Sequence, residues 1–182
     1  MPGLLEGIEM KEITLDVGCG SVPKKGYNVC LDKYDHGNNT VFDLESGKKM
    51  PFKNNSVSKI WCRNVLEHLN NVELVMDEFY RILKKGGVLE IVVPFYRHPN
   101  AVNPLHKRYF GWQSMNYWSN QNSEMRLRSM NGFELVEKKW VFEDKKLEFL
   151  FGWYASKKPL QYEKWLGVFF PARRIYLKLK KK

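Results

Sequence analysis

The feature that most constrains the fold is an apolar strand that ends in two closely spaced glycines. Residues 15–17 lead into a G-x-G turn made of Gly18, Cys19 and Gly20. Glycine lacks a Cβ and adopts positive φ readily, so such a turn lets the main chain approach a bound molecule closely. The third glycine of the dinucleotide fingerprint is missing and Asp32 follows the turn too soon, which disfavours a NAD-binding domain.

Later segments place acidic residues at the ends of further predicted strands. Residues 27–32 form an apolar strand that ends in a carboxylate, Asp43 supplies a second one, and residues 60–69 run from a strand into a loop. Ligands of an open α/β sheet bind beyond the carboxyl ends of its strands. We therefore expect Asp16, Asp32, Asp43 and the loop that begins at Arg63 to converge on one site.

One long helix is predicted between these strands. Residues 70–85 carry apolar side chains at helical spacing, Asn70 can cap the helix, and Gly86 can end it. A strand over residues 88–93 follows. Only six residues, 21–26, separate the G-x-G turn from the next strand, so we expect a turn or short loop where a helical crossover usually lies.

The second half of the chain has weaker patterns. Residues 97–118 are typical of a loop with some helix near residues 113–118, and residues 132–142 are typical of a strand. An amphipathic helix is predicted over residues 159–170. The alternation over residues 175–180 predicts a final edge strand.

Together these segments resemble the class I S-adenosylmethionine-dependent methyltransferases, in particular the type 11 group. The specific motifs are residues 50–56, 64–69 and 81–87, and the resemblance covers roughly residues 13–95. It implies an α/β, Rossmann-like, mostly parallel seven-stranded sheet flanked by helices, with an antiparallel last strand beside the fifth. It also implies a single methyltransferase domain over residues 1–182, in which residues 13–95 bind the cofactor and residues 96–182 bind the acceptor and complete the sheet.

The resemblance implies S-adenosyl-L-methionine as the cofactor and S-adenosyl-L-homocysteine as the product. It assigns Asp32 to the ribose diol and Asp43, with the amide of Leu44, to the adenine. The remaining expected contacts are with the methionine part, from Gly18, Cys19, Gly20, Asp16 and the loop at Arg63 and Asn64.

Two histidines are candidates for catalysis. His98 and His106 follow Pro94, at the mouth of the predicted site, and Pro104 with His106 is similar to a Pro-x-x-His element of type 11 enzymes. A base is needed only where the acceptor must lose a proton, as an alcohol does. For Glu67 and the neighbouring His68, bracing of the following helix is favoured over catalysis.

Charge and composition limit the partners. The net charge is +10, and residues 138–182 hold 13 of the 30 basic residues but only 4 of the 20 acidic ones. This asymmetry indicates an anionic partner or simply a solvated basic end. Residues 147–154 and 165–170 are rich in aromatics, which favours a core and lid over the acceptor pocket, with a surface at a membrane interface as the alternative.

The expected function is methyl transfer to a small-molecule or glycan acceptor in the cytoplasm. Alternatives are a nucleic-acid or lipid-linked acceptor, or a non-catalytic cofactor-binding module. The sequence shows neither a secretory leader nor an apolar run long enough to span a membrane. Three cysteines without a C-x-x-C pair indicate neither zinc nor disulfides, so no metal site is predicted. The oligomeric state does not follow from the sequence.

Overall fold

A single seven-stranded sheet forms the centre of the protein, in a computed structural model that describes residues 12–118 and 132–182. Its order is β3-β2-β1-β4-β5-β7-β6, and β1 to β5 are parallel while β7 runs antiparallel to both of its neighbours. The predicted mostly parallel, Rossmann-like sheet with an antiparallel last strand beside the fifth is confirmed. The strands are β1 Ile13–Val17, β2 Val29–Asp32, β3 Thr40–Val41, β4 Val57–Arg63, β5 Leu83–Pro94, β6 Phe133–Val141 and β7 Arg174–Lys181.

The first crossover is short, as predicted. Residues 18–28 connect β1 to β2 through turns, without a helix. Asp16 holds this connection, because its Oδ2 accepts a hydrogen bond of 2.7 Å from the Lys24 N–H. Asn28 fixes the other end through Oδ1, which accepts from the Thr14 N–H at 2.9 Å. Residues 1–11, on which the prediction of no secretory leader rested, lie outside the described residues.

Helix α1, Val72–Ile82, is shorter than the predicted helix over residues 70–85. Its cap is Asn71, not Asn70, because the Asn71 Oδ1 accepts from the Leu74 N–H at 3.2 Å. The chain turns to extended backbone at Leu83, which is fully buried and pairs with Val57 as the first residue of β5. Burial of Leu83 in the sheet therefore overrides the helical pattern that continues to Lys85.

Two basic side chains join this helix to its surroundings. Arg81 makes two hydrogen bonds of 2.7 Å to the carboxylate of Glu78, and it also donates to the carbonyls of Phe52 and Met50. Lys181, near the end of β7, donates from Nζ to the Leu83 carbonyl at 2.8 Å. Arg81 therefore ties helix α1 to residues 50–52, and Lys181 ties the end of β7 to the start of β5.

The C-terminal part adds helices that differ from the predictions. Helix α2, Lys145–Lys157, was missed, because only Ala155 among its residues is buried and no apolar stripe marks it. Residues 159–169 are helical as predicted, in three pieces: α3 Pro159–Gln161, a π-helical turn Tyr162–Leu166 and α4 Gly167–Phe169. The predicted short helix is a 3-10 helix, Gln113–Trp118.

The prediction of β7 as an edge strand was wrong. It lies between β5 and β6, and its inward side chains Ile175, Leu177 and Leu179 are fully buried. An alternating pattern shows one buried face, but it does not show whether a strand has one neighbour or two.

A cluster of aromatic rings packs beside this end of the sheet. Trp140 stacks on Trp112 with ring centroids 4.8 Å apart, and it lies 5.1 Å from the ring of the fully buried Tyr162. The Tyr162 hydroxyl donates to the Phe170 carbonyl at 2.7 Å and accepts from the Ala172 N–H at 2.8 Å.

The cluster also covers a half-buried lysine. The Lys138 Nζ lies 4.4 Å from the Trp112 ring centroid and donates to the Trp112 carbonyl. Burial lowers the pKa of Lys138 to about 8, and the nearby Glu163 only partly opposes this.

Candidate active site

The turn after β1 has the backbone that its glycines allow. Gly18 has φ of +68° and Gly20 has φ of +57°. A Cβ on Gly18 would lie 2.2 Å from Cγ2 of Val65, whereas a Cβ on Gly20 would meet no atom within 4 Å. Gly18 is therefore required by the packing of the loop after β4, and Gly20 leaves open space next to the turn.

Asp32 closes this turn from the end of β2. Its Oδ2 accepts from the Gly20 N–H at 2.9 Å, and its Oδ1 accepts from the Tyr34 N–H at 3.0 Å. The His36 Nε2 lies 3.6 Å from Oδ1, and 13% of the Asp32 side chain is exposed. A carboxylate has about four acceptor positions, so Asp32 keeps capacity for further hydroxyl donors. The remaining acceptor positions of Asp32 and the open space at Gly20 fit a ribose diol, which has two hydroxyl donors.

Asp16 and Cys19 are held by the protein itself. Asp16 is buried and bonded to the Lys24 N–H, and burial raises the pKa of its carboxyl. Burial and the adjacent Cys30 thiol raise the pKa of Cys19 to about 12. Both side chains therefore order the turn, and the Cys19 thiol is not a reactive thiolate.

Asp43 and Leu44 lie beyond β3. The Asp43 Oδ1 accepts from the Glu45 N–H at 2.9 Å, and its Oδ2 lies 3.3 Å from the Lys33 Nζ. The bond from the Glu45 amide is the main reason why the Asp43 pKa is lowered. Leu44 lines a cavity of about 400 Å³ together with Phe42 and Met50.

The loop after β4 brings Arg63 and Asn64 to the same edge of the sheet. Asn64 has φ of +53°, and its N–H donates to the Val92 carbonyl at 2.9 Å. Val65 then packs over Gly18, so this loop lies directly beside the G-x-G turn. Asn64 also lines a cavity that extends to residues past β5.

We call this space the mouth cavity. Its volume is about 620 Å³, and it lies where the ends of β4 and β5 meet the start of β7. Its lining residues are polar to a large extent: Asn64, Glu67, His68, Pro94, Pro99, Asn100, Val102, Asn103, Pro104, His106, Arg173 and Arg174.

Glu67 is the most unusual residue of the mouth cavity. It is 1% exposed, and its Oε2 has no hydrogen-bond partner among the described residues. Its carbonyl, by contrast, accepts from the N–H groups of Lys107 and Arg108. Burial raises the pKa of Glu67 to about 7, although the positive charge of Arg174 opposes the shift.

His68 and His106 stand next to this carboxylate. Their ring centroids are 4.8 Å apart in an edge-to-face arrangement. The Nδ1 of His68 lies 3.2 Å from the Leu105 carbonyl oxygen, and the Nδ1 of His106 lies 3.0 Å from that of Ala101. A carbonyl oxygen only accepts, so each Nδ1 carries a proton, and in the neutral ring the lone pair is then on Nε2.

The cavity also has a basic side. Arg174 lies near Arg173 and Arg63, and burial together with this repulsion lowers its pKa. Arg173 forms an ion pair with Glu143. The mouth cavity thus combines one buried carboxylate and two imidazoles with excess positive charge at its rim.

The two predicted catalytic histidines have different positions. His106 lines the mouth cavity. His98 caps the 3-10 turn Pro99–Ala101, because its Nδ1 accepts from the Asn100 N–H at 3.1 Å. Burial and the charges of Arg173 and Arg174 lower the pKa of His98.

The close approach of Glu67 and His68 to His106 was not predicted from the sequence. The available signal was a carboxylate inside the apolar run of residues 65–69, where an unpaired charge is costly. Their closeness to His106 depends on the fold of residues 103–108 back onto the turn Leu66–His68, which no local pattern predicts.

Comparisons with known proteins agree with this architecture. The type 11 family model described as "Methyltransferase domain" matches residues 24–91. An S-adenosylmethionine-dependent methyltransferase from Mesorhizobium loti is 13% identical with a TM-score of 0.58, and the alignment covers 92% of this chain and 90% of that one. No curated protein matches the sequence.

Two further solved structures show how varied the reactions on this fold are. Phosphoethanolamine N-methyltransferase 2 from Haemonchus contortus, in complex with S-adenosyl-L-methionine, is 12% identical with a TM-score of 0.57 and covers 94% of this chain and 48% of that one. The [4+2]-cyclase SpnF is 16% identical with a TM-score of 0.56 and covers 93% of this chain and 75% of that one. At such identities the likeness establishes the fold, and the reaction has to be argued from the site.

Proposed function

We propose that this chain, which carries a class I methyltransferase domain of type 11, transfers a methyl group from S-adenosyl-L-methionine to a small acceptor bound in the mouth cavity. The observation that carries the proposal is the contiguity of two sites. The turn at Gly18 packs against Val65, and Asn64, the residue just before Val65 in the same loop, lines the mouth cavity. A cofactor on the turn and an acceptor in the cavity are therefore neighbours.

The cofactor contacts are proposed for the residues that the resemblance singles out. Asp32 would accept from the ribose hydroxyls, and Asp43 with Leu44 would meet the adenine. Gly18, Cys19 and Gly20 would make room for the methionine part, with its ammonium group near Asp16, Arg63 and Asn64. When bound, S-adenosyl-L-methionine supplies an activated sulfonium methyl group, and S-adenosyl-L-homocysteine is the product.

The protein's own residues accelerate the reaction mainly by holding the two reactants in position. Methyl transfer from a sulfonium is an in-line displacement, so alignment of the two partners provides much of the acceleration. We propose that His106 contacts the acceptor, as a base or as a ligand that orients it. His98 would act indirectly, because its ring holds the turn Pro99–Ala101 at the cavity rim.

The rim indicates the chemical class of the acceptor. Arg174 repels Arg173 and Arg63, so an anionic group placed among them would lower the electrostatic energy of the site. This supports a small-molecule or glycan acceptor that bears a carboxylate or phosphate next to the methylated atom. Residues 96–182 supply most of this cavity, and Glu67 and His68 come from the cofactor half.

Calorimetry with S-adenosyl-L-homocysteine tests the cofactor site. We expect binding by the wild type and a loss of at least about tenfold for Asp32→Ala, since charge-assisted bonds to the diol are removed. Asp35→Ala is the matched control, because Asp35 is an exposed carboxylate of the following loop. Equal binding by wild type and Asp32→Ala contradicts the proposed site.

A screen of candidate acceptors with labelled methyl donor tests the reaction. Turnover should fall for His106→Ala, and an unchanged rate removes His106 from the proposal. Cofactor binding without methyl transfer to any component of a cell extract would instead support a non-catalytic binding module.

A second candidate acceptor is lipid-linked, and one observation favours it. Phe149, Trp153, Trp165 and Phe169 are 71–87% exposed, contrary to the predicted core and lid. They lie on two adjacent helical segments, which are joined by the stacked rings of Phe151 and Phe170, 4.9 Å apart. Exposed lysines flank them: Lys145, Lys146, Lys157, Lys158 and Lys164. Aromatic side chains beside lysines are typical of helices that lie in the interface of anionic membranes.

Vesicle flotation tests this candidate. Vesicles rich in phosphatidylglycerol should carry the wild type at low salt, and vesicles of phosphatidylcholine should carry much less. Trp153→Ser with Trp165→Ser should abolish flotation, whereas Tyr34→Ser, an exposed aromatic on another surface, should not. No flotation of the wild type refutes the membrane surface. In the part of the chain that the structure describes, no helix has both the length and the apolar character needed to cross a membrane.

A further inference from the structure

We infer that Glu67, His68 and His106 form a binding site for one divalent first-row metal ion at the inner end of the mouth cavity. One potential ligand atom from each residue lies within 4.8 Å of those of the other two. Ligand bonds to such ions are about 2.0–2.2 Å long, so only a small contraction brings three donors onto one ion. The inference rests on the cavity of the proposed function, but it concerns binding and not turnover.

The first argument is the unsatisfied carboxylate. Glu67 is 1% exposed, and its Oε2 has no hydrogen-bond partner among the described residues. A buried carboxylate without a partner is costly, and native proteins compensate with a counter-charge or a metal ion. The positive charge of Arg174 attracts the Glu67 carboxylate, yet Arg174 gives no hydrogen bond to Oε2.

The second argument is the state of the imidazoles. Each Nδ1 is bound to a main-chain carbonyl, Leu105 for His68 and Ala101 for His106. Such a contact fixes the proton on Nδ1 and leaves the Nε2 lone pair of the neutral ring to bind a metal ion. Histidines that bind metals usually have this outer contact to a carbonyl or carboxylate.

The third argument is that main-chain hydrogen bonds hold the segments that carry the three residues together. The N–H groups of Lys107 and Arg108 donate to the Glu67 carbonyl at 2.7 and 3.1 Å. These bonds hold the segment that carries His106 against the turn that carries Glu67 and His68. Main-chain hydrogen bonds therefore bring the three side chains together.

The donor set indicates which ions fit. Two imidazoles and one carboxylate suit zinc, iron, cobalt, nickel or manganese, and the large cavity leaves coordination positions open. An ion there would bind the acceptor's oxygen and lower the pKa of an acceptor hydroxyl. The three residues would then act as ligands, and the carboxylate would gain the partner that it lacks.

The test is a titration of protein stripped with a chelator, without cofactor or acceptor. Zn²⁺ is followed by calorimetry, and Co²⁺ by its visible d–d absorption, which reports the ligand environment. We expect one ion per chain for the wild type. Glu67→Gln and His106→Ala should each weaken binding by at least about tenfold, since even the loss of an outer contact costs 10–100-fold.

His36→Ala is the matched control, because His36 is an imidazole that lies outside both the mouth cavity and the cluster. Binding of one ion by the wild type and His36→Ala, but not by the cluster variants, supports the inference. No ion bound, or an affinity unaffected by Glu67→Gln, overturns it. Should S-adenosyl-L-homocysteine bind normally in that case, the proposed function stands without the metal. Should the ion bind while the cofactor does not, the proposed function fails and the metal site stands.

Discussion

Substitution of Gly18 by alanine should destabilise the protein through two separable effects. The first is the left-handed backbone, φ of +68°, which costs a residue with a Cβ about 1–2 kcal/mol. The second is the overlap with Val65, where the new Cβ would lie 2.2 Å from Cγ2 although real contacts stay above 3.0 Å. Overpacking of this kind costs about 1–3 kcal/mol. The expected loss in the free energy of unfolding is therefore about 2–5 kcal/mol.

Gly20→Ala is the control that isolates the backbone effect. Gly20 has a similar φ of +57°, but its Cβ would meet no atom within 4 Å. Its expected cost is about 1–2 kcal/mol. Urea denaturation of both variants gives the two free energies of unfolding, provided that the slope m is unchanged.

A double-mutant cycle identifies the contact. Val65→Ala alone removes two methyl groups from a half-buried side chain, which costs about 1 kcal/mol. In combination with Gly18→Ala it removes the overlap, so the double variant should be more stable than the sum of the single effects by about 1–3 kcal/mol. The reasoning is refuted if Gly18→Ala is no more destabilising than Gly20→Ala, or if the cycle shows no coupling.

Three further predictions concern stability. The pKa of Lys138 is about 8 in the folded protein and 10.5 ordinarily, so between these pH values the folded state binds fewer protons than the unfolded state. The free energy of unfolding should therefore rise with pH over this range. Urea denaturation at several pH values should show this rise in the wild type and not in Lys138→Met. Arg81→Lys loses the two-pronged contact with Glu78 and should lower the free energy of unfolding by about 1.5–3 kcal/mol, while an unchanged urea midpoint would contradict it. Tyr162→Phe leaves the buried N–H of Ala172 without its acceptor, so we expect a loss of about 1–3 kcal/mol, and a thermal midpoint equal to that of the wild type would show that the hydroxyl is dispensable.

The fold of residues 13–95 was predictable because its signals are local. The apolar strands end in Gly18 or Asp32, and the helix has an apolar stripe over residues 72–83. Even there the end of α1 was misplaced. Leu83 continues the helical stripe, yet pairing with Val57 places it in β5.

The C-terminal part was harder to predict, since long-range contacts decide it. Helix α2 buries only Ala155, so its sequence has no periodic apolar pattern that would predict a helix. The interior place of β7 depends on β5 and β6, which are far away in the chain. The cluster of Glu67, His68 and His106 was not predicted, because residues 103–108 must first fold back onto the turn Leu66–His68.

The order of the sheet has a consequence for how the chain folds during synthesis. Strand β6 is made before β7 but reaches the sheet only through it, because β7 lies between β5 and β6. Until β7 leaves the ribosome, β5 and β6 each present an open row of amide and carbonyl groups, which invites pairing with other chains. We therefore expect arrest of translation before Arg174 to yield an aggregation-prone nascent chain. Its solubility should return once β7 has paired with β5 and β6.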